Sequence, residues 1–121
     1  MISLLVALAG GLGAVTRFVV DAEVGRRASL RLPVGTALIN VTGSFLLGFV
    51  TGWWSFHTGD PAVRAILGTG FLGGYTTFST ACVEASRLAR AGRGWSVLVH
   101  AAGMLVLGVA LAALGFWLGS L

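Results

Sequence analysis

From Leu32 to Phe56 the chain carries no charged side chain, and from Ala65 to Val83 it carries none either. Asp, Glu, Lys and Arg are also absent from Ile2 to Thr16 and from Trp95 to Leu121. About 20 apolar residues in a row suffice to cross a bilayer as a helix. A soluble domain keeps roughly a quarter of its residues charged, so that its surface stays wet. Here 10% of the 121 residues are charged and 56% are hydrophobic. The pattern excludes a soluble globule, and the hydrophobic content excludes a disordered chain. Four crossings at about 20 residues each leave roughly 40 for turns and ends. The expected fold class is an all-α membrane protein with four transmembrane helices, at roughly 2–20, 33–56, 62–90 and 95–120 of a single unit 1–121.

The basic residues narrow the chemistry. All eight are arginine, so Schiff-base and phosphate-loop lysines are excluded. The single cysteine, Cys82, allows neither an intrachain disulfide nor a cysteine-rich metal site. A net charge of +4 does not point to nucleic acid, because the arginines form no basic patch with aromatics. They sit in short stretches between the apolar runs. Trp53, Trp54, Trp95 and Trp117 lie near run ends, where amphipathic rings prefer the headgroup zone. Small residues recur at intervals of four: Gly10 and Ala14; Ser44, Gly48 and Gly52; Gly115 and Gly119. Such spacing opens a helix face to close packing, although glycine is common in membrane helices generally.

The third run is the anomaly. Gly68, Gly70, Gly73 and Gly74 precede the hydroxyl-rich stretch Tyr75 to Thr80. The midpoint of 65–83 is 74, so the glycine pair falls at the centre of the crossing. Lipid cannot hydrogen-bond a freed carbonyl, so a break there survives only in protein or against a site. Broken helices at that depth supply carbonyls to cations and helix N-termini to anions. The pattern favours a break near 73–77 over an intact helix with packing glycines. Gly68 to Gly73 also matches the dinucleotide fingerprint G-x-G-x-x-G, but no strand precedes it, so that match is accidental.

Few other polar groups lie at depth. Thr36, Asn40, Gly43, Ser44 and Thr51 share one face of the second helix, either as glue between helices or as the lining of a pathway. Arg17, near the expected end of the first helix, reads equally as a snorkelling side chain or as a fixed charge drawing anions to a vestibule. Glu84 closes the third run. His100 alone on the fourth helix is more often a packing group than a ligand.

Three segments together resemble the Fluc (CrcB) fluoride channels: Gly10 to Phe18, Gly35 to Gly48, and Gly70 to Thr80 with Glu84 following. They fall in order and cover the whole chain. The resemblance implies an antiparallel, inverted-topology dimer in the cell membrane, passing fluoride outward passively and so lowering cytoplasmic fluoride. No enzyme chemistry is implied. It implies a structural, untransported sodium ion (Na+) at the dimer centre, held by the carbonyls of Gly73 and Thr76. Fluoride would pass Asn40, Phe78, Ser79 and Thr80, with Glu84 near a pore mouth and Arg17 in the vestibule. The chemistry agrees: amide and hydroxyl groups donate hydrogen bonds to a dehydrated anion, and aromatic edges carry positive charge.

Two departures bear on assembly. The family pattern has a second phenylalanine three residues after the first, and here Ala81 follows Phe78. Arg26, Arg27, Arg31, Arg87, Arg90 and Arg93 fall on one side of a four-helix topology, against Arg64 alone on the other. Positive residues stay cytoplasmic, which fixes one orientation with both termini outside. Both departures point to a second subunit of inverted bias rather than a copy. Two rival readings are a small multidrug transporter, which would need a membrane-embedded carboxylate, and an accessory subunit with a degenerate pore.

Overall fold

A computed structural model describes residues 1–27 and 33–121, so Arg31 lies outside the described residues. Three helices are long and apolar enough to cross a membrane: α1 (Ile2–Arg27), α2 (Val34–Phe56) and α6 (Gly94–Gly119). The first runs past its expected end at 20. Glu23 pairs with Arg26 and Arg27, three and four residues on, which carries the helix through its polar stretch. Arginines in the last turn also complement the negative end of the helix dipole. Arg17 therefore sits well inside α1 rather than at its end.

The third run is divided. It comprises α3 (Pro61–Arg64), a π-helical segment (Ala65–Leu72), α4 (Gly73–Tyr75) and α5 (Phe78–Arg90). Asp60 starts it by accepting the Ala62 N–H at 2.8 Å, with Pro61 in the first turn where its missing N–H costs nothing. The π-helical segment is the wider-wound form common near functional sites. Gly73, at φ −62° and ψ −36°, is helical. The interruption comes after the glycine pair, at Thr76 (φ −78°, ψ 156°) and Thr77 (φ −149°, ψ 117°), both extended. The break thus falls inside the expected 73–77, at its C-terminal end, because the side chain that restarts the helix is a threonine. Thr77 Oγ1 accepts the Thr80 N–H at 3.2 Å and caps α5.

Glycines set the packing. A Cβ at Gly48 would fall into the Ala112 carbonyl, and one at Gly52 into that of Phe116. Conversely, Gly115 meets the Phe45 carbonyl and Gly119 that of Phe49. Numbers rise together along both helices, so α2 and α6 run parallel with their backbones in contact. Gly70 lies against Val6 and Ala9, and Gly74 against Gly10, so α1 runs parallel to the third run in the same manner. Small residues are what permit such approach. The core is correspondingly thin: Ile39, Leu72 and Tyr75 form its buried cluster. Leucines and valines along α1 and α6, such as Leu12, Leu105 and Val109, point outward, as expected where the solvent is lipid.

Candidate ion site at the helix interruption

The interruption is held by Asn40. Its Oδ1 accepts the Thr77 N–H at 2.8 Å, and its Nδ2 donates to the Thr77 carbonyl at 2.8 Å. The amide on α2 thus replaces the helical partner of the Thr77 N–H and adds a second donor to the Thr77 carbonyl, which opens α5. Thr77 N–H, the ordinary donor to the Gly73 carbonyl, is turned to Asn40, and the Gly73 carbonyl is released. Thr76 still donates its N–H to Leu72 at 3.0 Å, and its own carbonyl precedes the restart of the helix. The second hydrogen on Asn40 Nδ2 reaches only the thioether of Met104, at 3.5 Å. Thioether sulfur is a weak acceptor.

The sequence reading passes over Thr77, which is the hub. It is buried, and its hydroxyl donates to Thr80 Oγ1 at 3.0 Å and lies 3.2 Å from Ser79 Oγ. A threonine three residues ahead of Thr80 at a helix start is a capping signal that could have found it.

Around this hub the expected site residues other than Ser79 and Glu84 distribute over three hollows. A groove of about 600 Å³ between α2, α5 and α6 holds Asn40, Thr76, Phe78, Ala81 and His100. A smaller polar pocket of about 320 Å³ joins Arg17 and Asp21 of α1 to Thr36, Thr77 and Thr80. Thr77 lines both. A third hollow, about 570 Å³, has Gly73 and Thr76 on one wall and Thr51 and Arg64 among the others. Phe78 is 83% exposed, and Ser79 is exposed beside it. Ala81 is buried, with 5% exposed.

The polar stripe on α2 faces the third run. Besides the Asn40 clamp, Thr36 Oγ1 donates to Glu84 Oε1 at 2.7 Å, and Gly43 admits Thr76 and Tyr75. Glu84 Oε2 lies 3.5 Å from His100 Nε2 on α6. Arg17 Nε, Glu84 Oε2 and His100 Nε2 are buried without a hydrogen-bond partner.

A family model described as CrcB-like protein, Camphor Resistance (CrcB), matches residues 4–116. The chain is 53% identical over 121 residues to the fluoride-specific ion channel FluC 1 of Leifsonia xyli subsp. xyli, covering 100% of this chain and 88% of that one. It is 50% identical over 122 residues to the fluoride-specific ion channel FluC 2 of Cutibacterium acnes, covering 99% of this chain and 98% of the other. A more distant relative, the fluoride-specific ion channel FluC 2 of Bacillus thuringiensis subsp. konkukian, is 36% identical over 125 residues, with 98% of each chain covered. All three are named as ion channels and none as an enzyme. The match takes in every segment that builds the interruption, from Gly10 on α1 through Asn40 and Thr77 to Gly115 on α6, and the chain is a multi-pass membrane protein of the CrcB-like family.

Proposed function

We propose that this chain is one subunit of a fluoride channel, crossing the membrane four times and completed by a second subunit in inverted orientation. The observation that carries the reading is the double clamp of Asn40 on Thr77, which keeps a helix open deep in an apolar protein. The parallel course of α2 and α6 supports the fourth crossing. If both run the same way, the chain between Phe56 and Gly94 must return across the full thickness. The relatives named as fluoride-specific channels support the ion.

In this reading, fluoride sheds water to donors spread about the interruption. Asn40 Nδ2 offers the hydrogen now held only by Met104 sulfur, and Ser79 and Thr80 offer hydroxyls. The exposed Phe78 ring offers a positive edge toward the second subunit. Arg17, with a buried and unpartnered Nε, attracts the anion toward the polar pocket. The Gly73 and Thr76 carbonyls fit a small hard cation, since the interruption frees the first of its helical donor. A bound sodium supplies a full positive charge close to the anion path. An inside-negative potential then drives fluoride out, without energy coupling.

Replacing sodium by a large organic cation in fluoride-loaded vesicles tests the carbonyl site. Flux is expected to fall at least about tenfold. Equal flux in the two media would contradict a structural sodium ion.

Ala81 favours a paralogous second subunit over an identical one. Buried in the wall beside Phe78, it leaves one ring where the family pattern has two. The arginine count agrees: six on one side against one on the other set a single orientation with both termini outside. A partner with reversed bias would supply the missing ring and the inverted half.

A further inference from the structure

Two buried polar atoms face each other with no hydrogen bond: Glu84 Oε2 on α5 and His100 Nε2 on α6. They are 3.5 Å apart, and the imidazole side chain is 3% exposed. The second carboxylate oxygen is already occupied by the Thr36 hydroxyl of α2. The charged groups about the carboxylate are Asp21 from α1, Arg87 from its own helix and His100 from α6. From α2 the neighbour is the neutral Thr36. His100 also lines the groove that contains Asn40 and Phe78.

Charge counting gives this pair a consequence for an anion. A carboxylate beside a neutral imidazole leaves one negative charge in the channel wall. One added proton, on either atom, brings the pair to zero. Among the described residues, Oε2 is the buried acceptor that a proton on Nε2 meets. Imidazole is also the side chain whose protonation ordinarily changes near neutrality. A histidine serving only to pack would present no orphan nitrogen to an orphan carboxylate oxygen.

We infer that His100 is a positioning residue that shares a proton with Glu84, and that fluoride passes freely only while the pair holds that proton. The inference rests on the fluoride-channel reading. The Asp21 carboxyl group from α1 lies near the same carboxylate, and Arg87 at the helix surface lies on the other side of the charge balance.

The test compares fluoride efflux from about pH 8 to about pH 6 for the unaltered chain, His100→Gln, and the double variant Glu84→Gln with His100→Gln. Each is expressed with a copy of the chain whose arginine bias is reversed and which carries the same substitutions at 84 and 100, and empty vesicles correct for leak of undissociated hydrogen fluoride. Flux through the unaltered chain is expected to rise roughly tenfold on acidification, the effect of one unit charge about 12 Å from the ion at an effective dielectric near 20. His100→Gln should stay low across the range. The double variant, lacking the negative charge, should exceed His100→Gln and show no pH dependence. A pH profile in His100→Gln that matches the unaltered chain overturns the inference, as does a flat profile in the unaltered chain. No fluoride flux from any variant would contradict the channel reading instead. Proton sharing is then read independently, from the nitrogen-15 resonances of the His100 ring in detergent-solubilised protein. Glu84→Gln is expected to shift the Nε2 resonance, and identical spectra would overturn the inference whether or not the chain conducts.

Discussion

Asn40→Leu is expected to abolish fluoride flux and to destabilise the protein more than any other single polar-to-apolar change. Leucine keeps the branching and heavy-atom count of the amide but removes its donor and acceptor. It strands the Thr77 N–H, bonded to Asn40 at 2.8 Å, and removes a second bond to the Thr77 carbonyl, which as the N-cap of α5 keeps its helical donor. The stranded N–H costs about 1–3 kcal/mol. The bonds themselves are modest, at about 0.6 kcal/mol each across membrane helices. Most of the loss therefore comes from the unpaired backbone N–H, not from the missing attraction. The chain can respond by closing the interruption, returning Thr77 N–H to Gly73 and withdrawing the free carbonyl. Thermal unfolding in detergent and fluoride-electrode efflux read the two effects separately. Asn40→Asp separates them further. It keeps an acceptor for Thr77 N–H but loses the donor and adds a negative charge to the anion path. Its stability should lie between that of the unaltered chain and that of Asn40→Leu, with flux still absent. Unchanged flux in Asn40→Leu would show that the interruption does not depend on the clamp.

Gly48→Val should have the next largest effect, on folding rather than on conduction. The added side chain has no room: its Cβ would overlap the Ala112 carbonyl, with Ala112 Cα within 3.0 Å. Backbone cannot turn aside as a side chain can. Either α2 and α6 separate or the seam shifts, and separation also undoes the contacts of Gly52, Gly115 and Gly119. Overpacking a tight core costs about 1–3 kcal/mol when side chains yield, and a backbone collision lies at or above the upper end. Loss of the monodisperse species in detergent chromatography is the expected outcome. Gly11→Ala is the control, since nothing lies within 4 Å of that Cβ position. It should leave the melting temperature within about 1 °C, as surface changes away from packed features usually cost under 0.5 kcal/mol. Equal melting of the two variants would contradict the glycine seam.

Much of the frame was readable from residues alone, because the bilayer leaves few choices. Three of the four charge-free runs fall on helices long and apolar enough to cross a membrane, and four-residue glycine spacing on the second and fourth runs marked a real seam. The third run announced an interruption through its glycines and hydroxyls. Its position fell within the expected 73–77, but the reason for it was less legible. Glycine lowers the cost of leaving a helix, yet the observed exit is chosen by partners: Asn40, distant by 37 residues, and the Thr77 cap. Asn40 read either as glue between helices or as the lining of a pathway, and both of its polar atoms bond Thr77. Nothing local marks such a pairing. The same holds for Glu84, Thr36 and His100, which converge from three helices. The first helix outran its expected end because Arg26 and Arg27 looked like a loop and instead pair back to Glu23.

The most direct test is fluoride efflux from membrane vesicles of cells expressing this chain alone, or with a copy whose orientation is reversed. Such a copy carries Ala81→Phe to supply the second ring, Arg31→Ser, Arg87→Ser, Arg90→Ser and Arg93→Ser, with His57→Arg, Thr58→Arg and Ala62→Arg. Arg26 and Arg27 then remain on one side, against Arg64 and the three introduced arginines on the other. The account predicts little fluoride flux from either chain alone and sustained flux, with chloride refused, when both are present. Equal flux from the single chain would contradict the fixed orientation, and no fluoride flux from the pair would contradict the channel itself.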